Sequence, residues 1–320
     1  MFVALDGQPV HAVTGLEFDP ALPCLVFIHG AQHDHFVWMQ QVRHFAGRGH
    51  SILAVDLPGH GQSGGAPLPS IEALADWLLA LLAKVGAGGT ASETQYNPDF
   101  RRRLTGVSRL SASARPEPKV GAGGTAPAGS AALMGTAHFT RNITLIGHSM
   151  GSLIALEAAA RAPGRIGNLV LIGTAVPMPV APALLEAAQK NEAAAMALIN
   201  QWAHSPRGLR GAYGSLGQWL PGINLRIMER QKPGVLHNDL AACNAYVNGP
   251  AAIARLSCPV TMIAGKSDRM TSVKASRRLA EQINRSRLVE LAAVGHAMMA
   301  EAPLAVNQAI EQALAPTHPT

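Results

Sequence analysis

Apolar and polar positions along this chain fall into two alternating kinds of segment. Short apolar runs at 24–28, 51–55, 142–147, 168–173, 259–264 and 287–291 have the length of strands, and those at 24–28 and 142–146 read as strands covered on both faces. Between them lie helical stretches. One spans about Trp38 to Phe45; a second, capped by Ser70 with Glu72 in its first turn, sets Ala73, Leu74, Trp77, Leu78, Leu81 and Leu82 on one apolar face. Others are predicted at 150–161, 272–283 and from about 303 to 314, and residues 2–5 and 10–14 read as a hairpin through Asp6-Gly7-Gln8-Pro9. The alternation predicts an α/β fold: a mostly parallel central sheet of about eight strands flanked by helices. Residues 1–175 and 253–320 form the core in this reading, and the mostly helical segment 176–252 forms a cap.

One span breaks the alternation. Lys84-Val85-Gly86-Ala87-Gly88-Gly89-Thr90-Ala91 recurs identically at 119–126, and the surrounding residues are rich in Gly, Ser, Pro and Arg. Residues 86–140 are therefore expected to be a disordered insertion at the amino-terminal edge of the sheet. Closing so long a connection, relative to a five-residue loop, costs only about 2 kcal/mol. A folded core can carry that.

Composition narrows the classes. Hydrophobic residues make up 48% of the 320 positions and charged residues only 14%, enough apolar content for a large core. The formal charge is +6, but residues 86–140 hold six basic and three acidic side chains, so half the excess sits in the insertion. Little is left to suggest nucleic acid as a partner. Cys24, Cys243 and Cys258 are odd in number and widely spaced, which favours buried thiols. The opening residues lack a leader pattern and no long uninterrupted apolar stretch follows, so the expectation is a soluble cytoplasmic protein with no membrane partner, as monomer or homodimer.

Candidate chemistry centres on Gly147-His148-Ser149-Met150-Gly151, set between a strand and a helix. Such a turn holds a serine hydroxyl clear of the sheet, with glycines leaving room on either side. The same pattern occurs at Gly61-Gln62-Ser63-Gly64-Gly65, but without strand or helix around it, so Ser63 reads as a loop residue. A nucleophilic serine needs a base near neutral pH and an acid to orient it. Asp268 follows the strand 259–264, and His296 follows the strand 287–291. His29, Asp56, Ser149, Thr174, Asp268 and His296 all fall at or just beyond strand ends, where ligands gather in parallel sheets.

The order Ser, Asp, His, together with His29-Gly30, Asp56-Leu57-Pro58-Gly59-His60-Gly61-Gln62-Ser63, Gly265-Lys266-Ser267-Asp268 and Gly295-His296, resembles the α/β-hydrolase fold superfamily over nearly all of the chain except 86–140. The resemblance implies Ser149 as nucleophile, His296 as base and then acid, Asp268 as its orienter, and the N–H groups of Ala31 and Met150 as oxyanion donors. It implies loop-bracing roles for His29, His60 and His148, and no cofactor. His33, Trp38, Met178 and Trp202 are candidate substrate contacts, and Arg207, Arg210, Arg226 and Arg230 could include a carboxylate clamp. His33-Asp34-His35 lacks further ligands nearby, so no metal is expected. The expected function is a serine hydrolase cleaving a small, largely apolar carboxylic ester through an acyl-enzyme, its partner a small-molecule substrate. Alternatives within the superfamily are an enol-lactonase, a carbon–carbon bond hydrolase, disfavoured by the absence of a Gly-rich oxyanion loop, or a cofactor-free peroxidase. The alternative of another class is a non-catalytic ligand-binding protein on the same fold.

Overall fold

The computed structural model describes residues 1–86, 143–209 and 219–315. Eight strands form one sheet: β1 (Phe2–Leu5), β2 (Gln8–Val13), β3 (Cys24–Ile28), β4 (Ser51–Val55), β5 (Ile143–His148), β6 (Ile166–Ile172), β7 (Val260–Gly265) and β8 (Ser286–Leu291). Their order is β1-β2-β4-β3-β5-β6-β7-β8, with β2 antiparallel to both of its neighbours, β1 and β4, and every other pairing parallel. The hairpin turn is shorter than its sequence suggests. Leu5 pairs with Gln8, and Asp6 and Gly7 both take positive φ, the twist that a two-residue hairpin requires.

Alternation along each strand divides the core between two faces. Cys24, Val26 and Ile28 pack on one side of β3, against helices α2 (Ile71–Gly86) and α3 (Met150–Arg161), while Leu25 and Phe27 pack on the other with Trp38, Val42 and Phe45. The same split runs through β6, where Leu169 and Leu171 join the first cluster and Val170 and Ile172 the second. Strands covered on both faces carry continuous apolar runs, which makes them legible in the sequence. Trp38 ends a 3-10 turn (His35–Trp38) leading into α1 (Met39–Phe45).

Between β6 and β7 lie α4 (Pro182–Lys190), α5 (Glu192–Ala203), the short α6 (Pro206–Leu209), α7 (Leu220–Glu229), α8 (Val235–Ala245) and α9 (Gly249–Ala254). Four of them share a separate apolar cluster containing Leu184, Ala195, Ile199, Met228, Leu236 and Leu240. After β7 come α10 (Val273–Gln282), then β8, α11 (Met298–Glu301) and α12 (Pro303–Leu314). The expected insertion falls, from residue 87 on, outside the described residues, as does Arg210. All three cysteines are free and buried. No helix among the described residues is long and apolar enough to cross a membrane.

Candidate active site

Ser149 sits between β5 and α3 with φ 52° and ψ −120°, outside the regions that a side chain ordinarily adopts. Two glycines make the turn feasible. A Cβ on Gly147 would lie 2.2 Å from the carbonyl oxygen of Gly151, and one on Gly151 would lie 2.2 Å from that of Ile28. Ser149 N–H donates to Ile172 O at 2.9 Å, which anchors the turn to β6. Ser63, by contrast, is buried and structural: its Oγ donates to Asp56 O and accepts from His11 N–H.

His296 and Asp268 are also brought together. His296 Nδ1 lies 2.7 Å from Asp268 Oδ2, and both residues are buried. Asp268 receives three further hydrogen bonds, from Met270 N–H, Thr271 N–H and the Thr271 hydroxyl, each at 2.8 Å. Burial alone would raise its pKa, but the charge and hydrogen bond of His296 and the bonds from Thr271 hold it below the ordinary carboxylate range. The acid is thereby kept ionised. His296 Nε2 has no hydrogen-bond partner among the described residues, so the ring nitrogen remote from Asp268 is uncommitted there. Ser149, His148 and His296 line one cavity of about 1100 Å³, slightly larger than is usual for small-molecule sites.

The histidine expected to act as base is held from behind as well. His148 Nε2 donates to His296 O at 3.0 Å with the two rings 4.6 Å apart. Glu301, also buried, accepts from Gly295 N–H and from Ser205 N–H, both at 2.7 Å, joining the loop of His296 to the start of α6. Neither Thr271 nor Glu301 is signalled in the sequence. Each is recognisable only from the partners that folding supplies.

Ala31 and Met150 flank the serine. Met150 is the first residue of α3, so its N–H is one of the donors that a helix leaves free. Ala31 follows Gly30, where a Cβ would lie 3.2 Å from that of Ser149, so the β3 loop passes directly beside the serine. That loop is strapped to the helices between β6 and β7. Asp239 on α8 accepts from Gln32 N–H at 2.9 Å and from His60 Nε2 at 2.8 Å, and Asp34 takes Arg230 and Gln231.

The other sequence candidates divide. His33, Met178 and Trp202 line the cavity. His33 also braces the loop, with Nδ1 2.8 Å from Ala31 O and Nε2 2.8 Å from Asn224 Oδ1. Trp38 does not reach the cavity: it is fully buried, 5.2 Å from Phe27 between ring centroids, in the core beneath the sheet. Its large apolar ring sits one helical step from the loop in sequence, but the 3-10 turn aims it inward. Arg230 and Arg226 already hold Asp34 and Glu229, which weakens the expected clamp.

The histidines at strand ends brace loops by different chemistry. His29 Nδ1 donates to Gly30 O and its Nε2 accepts from Leu57 N–H, a pattern that only a neutral ring can satisfy. Burial, helped by the nearby His60, lowers its pKa to about 4. His60 presents both nitrogens to acceptors, Pro58 O and Asp239. Burial works against its charge, yet Asp239 raises its pKa overall. His11, His35 and Asp56 form a third buried group whose potential metal-ligand atoms lie within 4.8 Å of one another. Asp56 already engages Nδ1 of both rings, at 2.8 and 2.7 Å, together with the N–H groups of His35 and Gln62.

Residues 25–309 match the alpha/beta hydrolase family. The chain belongs to that family. Among solved structures, an enol-lactonase from Burkholderia xenovorans LB400 superimposes with a TM-score of 0.72 at 17% identity, covering 98% of this chain and 99% of that one. A thermophilic esterase gives 0.66 at 21% identity, over 98% and 95% of the two chains. An esterase from Thermogutta terrifontis, with malate bound, gives 0.69 at 18% identity over 98% and 96%. At these identities the likeness establishes the fold. A comparison with curated proteins returned no match.

Proposed function

We propose that this alpha/beta hydrolase cleaves a carboxylic ester through an acyl-enzyme formed on Ser149. The observation that carries the reading is His296, paired with Asp268 and with its outer ring nitrogen uncommitted, lining the same cavity as a serine held on a strained turn. In this reading His296 Nε2 takes the Ser149 proton as the hydroxyl attacks the ester carbonyl, and returns it to the departing alkoxide. Asp268 orients the imidazole and balances its transient charge. Ala31 and Met150 N–H groups hold the oxyanion, a contribution typically worth on the order of 100-fold in rate per donor. Water then repeats the sequence to release the acid. Ser149 and His296 are not hydrogen-bonded to each other here, and such bonds commonly tighten only when substrate is bound.

The helices between β6 and β7 act as the cap. Met178, Leu184, Ile199 and Trp202 bring apolar surface to the cavity wall, which suits an apolar acyl or alcohol group. A cyclic ester would use the same atoms, so an enol-lactonase activity is the nearest variant of this reading. Fluorophosphonate labelling tests it: the wild-type protein should label and Ser149→Ala should not. A folded preparation that neither labels nor hydrolyses a panel of p-nitrophenyl esters would favour a non-catalytic binding role.

A further inference from the structure

The lining of the cavity is uniform in charge. Arg43, Arg226, Arg230 and Arg269 line it, and no Asp or Glu among the described residues does so. Residues 210–218, between α6 and α7, contain no acid either. All four arginines are exposed, whereas Leu184 and Ile199 on the wall are buried, so the cavity is apolar in its depth and cationic at its mouth. The four are not equivalent. Arg230 is fixed by Asp34 and lies over the Phe36 ring at 4.1 Å, and Arg226 pairs with Glu229 on its own helix. The side chains of Arg43 and Arg269 have no hydrogen bond or ion pair among the described residues.

A solvated arginine is ordinary on a protein surface. Two arginines without a counter-ion, Arg43 and Arg269, in a concave lining that presents no carboxylate of its own, focus a positive potential into the opening. Arg43 and Arg269 also keep their guanidinium donors available for a carboxylate. We propose that the substrate carries a carboxylate on the end remote from the bond cleaved, and that Arg43 and Arg269 set this preference. This inference rests on the esterase reading for its chemistry but not for its binding test. The substrate is then amphipathic: an apolar body in the cavity, an ester at Ser149 and an anion at the mouth.

The experiment compares mono-4-nitrophenyl adipate with its neutral methyl ester, which share chain length and leaving group. At low ionic strength kcat/KM should favour the free acid by about tenfold, a ratio that should fall towards one in about 0.5 M salt. The Arg43→Gln/Arg269→Gln double variant should lose the ratio, kcat/KM for the free acid falling to that for the neutral ester. Calorimetry on Ser149→Ala, with monomethyl and dimethyl adipate, measures the same preference without turnover. Tighter, arginine-dependent binding of the monoanion with no hydrolysis of either ester would sink the esterase reading and leave the anion site standing. Hydrolysis with no preference for the charged ester, a preference that survives the double variant, or binding of the monoanion no tighter than the diester would overturn the inference.

Discussion

Replacing Gly173 with alanine tests whether the position of His296 controls the reaction. Gly173 follows β6 with φ 59°, and a Cβ there would lie 2.9 Å from His296 Cε1 and 3.0 Å from Nδ1. Contacts that short do not persist, so the ring must move by roughly half an ångström or more. It has little slack, since Asp268 holds one edge and His148 holds its backbone. Gly164 supplies the control, with φ 86° and nothing within 4 Å of where an added methyl would sit. Both substitutions carry the left-handed backbone penalty of about 1 kcal/mol, and only Gly173→Ala adds overpacking of about 1–3 kcal/mol. Urea denaturation should therefore show a loss of about 1 kcal/mol for Gly164→Ala and about 2–4 kcal/mol for Gly173→Ala. Misplacing a reacting group by such a distance costs on the order of 100-fold in rate. Turnover of p-nitrophenyl butyrate should fall by about that factor in Gly173→Ala and stay unchanged in Gly164→Ala. Wild-type turnover in a folded Gly173→Ala protein, or an equal loss in both variants, would refute the reasoning.

Acid should destabilise the fold well above the range in which carboxylates titrate. The folded pKa of His29 is lowered to about 4 while the unfolded chain keeps about 6.5, so as pH falls through that window the unfolded state binds a proton that the folded state does not. Stability present above about pH 6.5 is then lost on acidification, by about 2 kcal/mol between about pH 7 and about pH 4.5; urea midpoints that did not change over this interval would contradict the neutral assignment. Glu301→Gln keeps the shape but cannot accept from Ser205 and Gly295 with a charge, and should lower kcat more than it raises KM, with a stability loss of about 1–3 kcal/mol by denaturation. Trp38→Phe should leave KM unchanged because its ring lies in the core, whereas Trp202→Ala should raise KM; steady-state kinetics on one ester decides between them.

Local pattern determined a good deal of this protein on its own. The doubly buried strands, the glycines around Ser149 and the order of Ser149, Asp268 and His296 all express short-range constraints, steric at the turn and periodic along the strands. They can be read without knowing what lies across the sheet. Other features exist only once distant segments meet. Glu301 matters because Gly295 and Ser205 present two N–H groups to it, and Thr271 because Asp268 and His296 meet beside it. Trp38 has the sequence position of a lining residue, and only the turn at His35–Trp38 directs it inward. Which arginines are free at the cavity mouth likewise depends on where Asp34 and Glu229 come to lie. The physical reason is that a buried polar side chain takes its role from the partner that satisfies it, and that partner is chosen by tertiary packing rather than by neighbours in the chain.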